Sequence, residues 1–155
     1  MKRAISLSVL VFQALAITIS SASKACPQEL VNLALKANVS TSHVSPWERL
    51  DAVNDGRKPR NSSDKANGAY GNWNGDGDYN TYNWVQYAWE QAHMLSSTEV
   101  YWWDDGQGID QPTDACIEYW NGSIWVSAGD IGTELNKYNL LNLDVRSNRI
   151  RIMYR

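Results

Sequence analysis

From Val31 onward the chain alternates apolar and polar residues in short runs, the pattern of strands that bury one face. Val31 to Ala37 (VNLALKA) and Asn83 to Glu90 (NWVQYAWE) both show it. In the second run Val85, Tyr87 and Trp89 share one face, and Trp84, Gln86 and Ala88 share the other. Ser97 to Trp103, Ala115 to Trp120, Ile124 to Ser127, Leu140 to Leu143 and Arg149 to Met153 continue the pattern. Turn chemistry separates the runs at Asp104-Asp105-Gly106, Asn121-Gly122 and Ser147-Asn148. Asn121-Gly122, set between EYW and SIWV, predicts a hairpin. One short helix is predicted over Trp47 to Val53 (WERLDAV), entered after Ser45-Pro46. Short strands, regular turns and almost no helix predict an all-β sandwich.

The N-terminal stretch follows a different logic. Met1-Lys2-Arg3 is positive, Ala4 to Ile19 is almost wholly apolar, and Ser23-Lys24-Ala25 offers small residues for cleavage before Cys26. Residues 1–25 therefore read as a signal peptide, and residues 26–155 as one secreted, extracellular domain. The apolar run is too short and too soon interrupted for a comfortable membrane span.

Composition sharpens the picture. The chain carries 14 Lys and Arg against 17 Asp and Glu, a net charge of -3. Loss of Lys2, Arg3 and Lys24 with the leader would take it to -6. A nucleic-acid binder would need a basic face instead. Aromatic usage is skewed to 8 Trp and 8 Tyr against one Phe, Phe12. Such amphipathic rings suit polar recognition surfaces. Cys26 and Cys116 are expected to form a disulfide in an exported protein, with two free thiols as the alternative. Alternation puts Cys116 on the outer face beside Glu118 and Trp120.

Rings and polar groups gather in three loops: His43 to Trp47, Tyr70 to Tyr82, and Trp102 to Gln107 (WWDDGQ). The long segment from Arg57 to Asn83 that holds the second is rich in Gly, Asn and Asp, and loops of this length are usually functional. Sugars present an apolar C–H face and a ring of hydroxyls, so a binder wants exposed Trp or Tyr with carboxylates, amides or guanidinium groups around it. Glycosidase chemistry would need two carboxylates across a cleft. Asp104 and Asp105 are adjacent, Asp76 and Asp78 sit in a Gly-rich loop, and neither GxSxG nor HExxH occurs. The reading is a non-catalytic glycan- or polysaccharide-binding module, with a small glycoside hydrolase as the weaker rival. Cell-surface or phospholipid adhesion is the other rival. Its only basic cluster is Arg57-Lys58-Pro59-Arg60, set in an acidic chain, so membrane lipid is not the expected partner.

The order of several motifs resembles discoidin domains, the coagulation factor five/eight type C group, which overlap with family 32 carbohydrate-binding modules. NLALKANVSTS at Asn32 to Ser42 is similar to their opening strand, and LDAVNDG at Leu50 to Gly56 to their short helix and acidic turn. SSD, YGNW, WVQY, SSTEVYWWDDGQGI, a strand ending EYW and the final R-I-R-I follow in the order seen in modules appended to bacterial glycoside hydrolases. The resemblance implies a galactose-binding-like jelly-roll β-sandwich with ligand loops at one end. It points to Trp47, Tyr70, Trp73, Asp104 and Asp105 as carbohydrate-binding residues, and to arabinose- or galactose-type glycans.

The same resemblance implies a structural calcium near the acidic turn, with Asp55 and Ser62 or Ser63 as oxygen donors. Relatives continue past the R-I-R-I strand into a closing strand that carries a Glu ligand. Arg149 to Ile152 is followed here only by Met153, Tyr154 and Arg155. The expectation is a truncated or diverged member without that strand, with an unpaired sheet edge and with calcium binding weakened or lost.

Overall fold

The computed structural model describes residues 30–57, 59–64, 66, 68–75, 81–104, 106 and 109–155. The expected leader lies outside them. The chain divides into two units, Met1–Val31 and Asn32–Arg155. Of the first, only Leu30 and Val31 are described, both exposed. The second holds everything below.

Its strands are β1 (Asn38–Thr41), β2 (Asn83–Tyr101), β3 (Ala115–Trp120), β4 (Trp125–Asp130) and β5 (Tyr138–Tyr154). They form one antiparallel sheet in the order β1-β2-β5-β3-β4. The protein is all-β, as the alternation predicts.

Two long strands turn that sheet into a sandwich. A straight strand of 19 residues would run roughly 60 Å at about 3.3 Å per residue. Yet Asn83, which opens β2, pairs with Tyr154, and the ring of Trp102, one residue past the end of β2, lies 5.9 Å from the Tyr154 ring. β2 must therefore double back over its own start. Register shifts between Ala88 and His93 and between Leu95 and Ser97 supply the bend. Between the layers Val85, Leu95, Val100, Ala115, Ile117, Ile131, Ile150 and Tyr154 form the buried core, with Ile117 at 0% exposure.

Several predicted elements shift. VNLALKA is not a strand: Leu33–Lys36 is a 3-10 helix, and pairing starts only at Asn38. The Asn32 carboxamide accepts the Ala34 N–H at 3.0 Å, a local bond that competes with a sheet ladder. The helix after Ser45-Pro46 shortens to a 3-10 turn, Leu50–Val53. Ser147-Asn148 is no turn, because β5 runs through it. Trp89 to Ala92 on β2 bulge opposite the single Asn148, and the buried Ser147 hydroxyl accepts the Arg149 N–H at 3.0 Å. The Asn121-Gly122 hairpin forms as predicted. The Asn121 side chain accepts the Ser123 and Ile124 N–H groups, and Gly122 takes a φ of 105° that a side chain would resist.

The R-I-R-I segment is not a sheet edge: Ile150 pairs with Tyr87 of β2 on one side and Tyr119 of β3 on the other. The edges of the described sheet are β1 and β4. Cys116 is a half-buried thiol on β3, and Cys26, its expected partner, lies outside the described residues.

Candidate functional site

The site begins with a turn. Ser45, Pro46, Trp47 and Glu48 close a four-residue turn through the Glu48 N–H and the Ser45 carbonyl at 3.2 Å, with proline at the position whose φ it pre-sets. The buried Ser45 hydroxyl also accepts the Trp47 N–H at 3.3 Å. Trp47 is thrown outward at the tip, 73% exposed.

A second loop is laced to this turn. The Ser45 N–H donates to the Gly71 carbonyl at 2.9 Å and the Arg49 N–H to the Ala69 carbonyl at 3.0 Å. Gly71 is there because the approach is close. A side chain would overlap Ile109 Cδ1 and come within 3.1 Å of Glu48 Cγ. Two residues on, the Trp73 ring, 42% exposed, meets Trp47 with centroids 5.0 Å apart and planes tilted by 57°. Two large apolar rings are thus left in water on backbone that is hydrogen-bonded in place.

Beneath them lies a hydroxyl network. Tyr70 OH donates to the His43 carbonyl at 2.9 Å and lies 2.6 Å from Thr41 Oγ1 and 2.8 Å from Tyr154 OH. Its ring packs on the core, and burial pushes the Tyr70 and Tyr154 phenols above their ordinary range. Tyr70 therefore anchors the loop from below and offers no free hydroxyl tip. Beside the turn, the Arg49 fork grips Asp51 through Nε at 2.8 Å, and this holds the Asp51 carboxyl below the usual carboxylate range. Glu48 Oε2 is buried without a hydrogen-bond partner.

The structure thus brings Trp47 and Trp73 together, with Tyr70 as their support. Asp104 belongs to a different contact set. Its N–H donates to Ser62 Oγ at 3.3 Å, and Ser62 in turn donates to the Asn136 carboxamide through its N–H at 2.6 Å and its hydroxyl at 2.9 Å. Asp105 lies outside the described residues. Ser45, Gly71, Thr41 and Tyr154 were not predicted as site residues. Ser45 and Gly71 fall within two of the loops singled out from the sequence, with Ser45-Pro46 read there as the entry to a helix, whereas the roles of Thr41 and Tyr154 depend on partners distant in sequence.

The acidic turn offers little to calcium. Asp55 Oδ1 accepts the Arg57 N–H at 2.8 Å and its other oxygen faces the Arg57 guanidinium at 3.8 Å. Ser63 is exposed, and its N–H bonds Asn61. Among the described residues no three of His, Cys, Asp and Glu come together. Calcium takes about 6–8 oxygen ligands, so one carboxylate already facing a cation is a poor fit. Thermal melting should give midpoints equal within about 2 °C in EDTA and in millimolar calcium. A calcium-dependent rise of about ten degrees would show that other oxygens complete a site.

No family model and no curated protein matches this sequence. Solved structures do. The family 32 carbohydrate-binding module of C. perfringens NanJ, solved with galactose, superposes with a TM-score of 0.57 at 15% identity, over 77% of this chain and 82% of that one. The chain has the fold of carbohydrate-binding modules. Chitosan-binding module 2 of a Paenibacillus chitosanase/glucanase, solved with chitotriose, gives a TM-score of 0.55 at 18% identity over 79% and 86% of the two chains. A structure of the Streptococcus pneumoniae beta-galactosidase BgaA gives 0.63 at 16% over 76% and 82%. A candidate alpha-L-fucosidase of Bacteroides thetaiotaomicron matches over 81% of this chain, which spans only 25% of that protein. At these identities the likeness establishes the galactose-binding-like sandwich fold.

Proposed function

We propose that this protein is a non-catalytic glycan-binding module whose primary contact is the Trp47–Trp73 pair. The observation that carries the reading is that pair: two exposed indoles 5.0 Å apart, on loops laced together by backbone hydrogen bonds. Burying such rings against water-exposed sugar C–H faces recovers apolar area that folding left exposed. Arg49 and Asp51 supply donors and acceptors for hydroxyls beside the turn. Neighbours of the same fold were solved with galactose and with chitotriose, which supports a sugar ligand. Polymers containing galactose or arabinose are the first candidates. A shallow single site of this kind has a Kd of roughly 10 μM to 1 mM. Retention on a polymer then comes from several weak contacts acting together.

The protein works outside the cell, with residues 1–25 removed on export. In the secreted form Cys26 and Cys116 are bonded. Intact mass after alkylation without reduction should show no added label, and two labelled thiols would remove the bond from this account. The function itself is tested by a glycan array run beside turnover of chromogenic glycosides. Binding without turnover is expected. Turnover that follows the protein through purification would make it a hydrolase instead.

A further inference from the structure

Away from the loops, the outer face of the sheet carries a second cluster. Register sets Trp120 opposite Trp125, and Glu118 opposite both Arg151 and Ser127. The two indoles meet nearly edge to face at 5.5 Å. Arg151 Cζ lies 4.4 Å over the Trp125 ring and Arg149 Cζ 5.7 Å over the Trp120 ring. The two arginines differ in one respect. Arg151 is committed to Glu118, with Nε and Nη2 each 2.6 Å from Oε2. Arg149 is exposed and forms none of the ion pairs among the described residues. On β2, the small Ala88 sits opposite Arg149, while Gln86, opposite Arg151, donates toward Ser40 Oγ at 3.5 Å.

We propose that this face is a second glycan-binding surface, selective for carboxylated sugars, in which Arg149 reads the carboxylate. A guanidinium fork matches a carboxylate through two parallel N–H bonds. The cation–π contact with Trp120 at 5.7 Å biases Arg149 toward the indole face, which lowers the side-chain freedom lost on binding. With Arg151 paired to Glu118, Arg149 is the positive charge left over beside the indoles, on a chain whose net charge is -3, and a carboxylate complements it. The indole edges and the amide and hydroxyl row beside them suit the rest of a sugar ring. The proposal rests on the reading of the domain as a glycan binder, but uses none of the loop residues. A domain with two such surfaces would bridge neutral and acidic stretches of one polysaccharide.

The test is a two-dimensional NMR titration of the full domain with trigalacturonate and with its fully methyl-esterified form. The acid should move the Trp120 and Trp125 indole signals, and the ester should bind at least tenfold more weakly. Arg149→Gln should weaken the acid at least tenfold without changing the melting temperature. A Trp47→Ala/Trp73→Ala double variant should bind the acid as the parent does. The proposal is overturned if the acid leaves both indoles unmoved, if the ester binds equally well, or if Arg149→Gln binds like the parent. In the last case the tryptophan pair is a cross-strand contact that stabilises the hairpin only. Loss of neutral-glycan retention in the loop variant, with the acid still bound here, would separate the two surfaces.

Discussion

Trp47→Ala and Trp73→Ala should each weaken retention on a bound polysaccharide by roughly 30-fold, about 2 kcal/mol, while the melting temperature moves by no more than about 3 °C. The binding loss follows from what an exposed aromatic anchor contributes at the centre of a contact. The small stability change follows from exposure: substitutions on open surface usually cost within about 0.5 kcal/mol, and Trp47 is 73% exposed. The two effects should not add. With centroids 5.0 Å apart the rings act as one tilted unit, and removing either leaves the other unsupported. The double variant should therefore lose less than the product of the singles. Affinity electrophoresis in gels containing the polysaccharide measures this directly. Two single variants that run like the parent would move the site elsewhere on the fold.

Tyr154→Ala should be the most damaging single change to stability, at about 3–5 kcal/mol by analogy with other buried aromatic truncations. Tyr154 is 8% exposed and does three jobs at once. It closes β5 against Asn83 and Ala115, packs on Trp102 where β2 has doubled back, and meets the Tyr70 hydroxyl at 2.8 Å. Tyr154→Phe keeps the first two contacts and drops the third. It should cost only about 1 kcal/mol, because Tyr70 retains Thr41 and the His43 carbonyl. Urea unfolding of the pair separates ring from hydroxyl. If Phe proved as damaging as Ala, the hydroxyl network and not the packing would hold the two layers together.

The sequence by itself determined the fold class, the two central runs and the hairpin. Period-2 alternation at Asn83 to Glu90 and Ala115 to Trp120 is a local signal, because a strand with one buried face must alternate wherever it lies. Asn121-Gly122 is equally local, since its turn is closed by the Asn121 side chain itself. Trp47 and Trp73 could be named as candidates for a similar reason: both are large rings in polar loop segments, that of Trp73 rich in glycine, with no local means of being buried.

Tertiary structure decided what depends on a distant partner. Local chemistry at Ser147-Asn148 favours a turn, yet pairing with β2 on one side and the Trp120 carbonyl at 2.7 Å from the Ser147 hydroxyl keep the strand running. VNLALKA alternates but becomes a 3-10 turn, because the Asn32 side chain takes the Ala34 N–H and Leu33 is bound through its carbonyl to the Trp89 indole at 2.9 Å. Arg149 to Ile152 reads locally as one more short strand, and the order β2-β5-β3 makes it central. Tyr70 looked like a ligand ring until Tyr154, 84 positions away, took its hydroxyl. Whether a loop ring such as Tyr70 keeps a free hydroxyl is decided by contacts between segments far apart in the chain, which its local sequence does not encode.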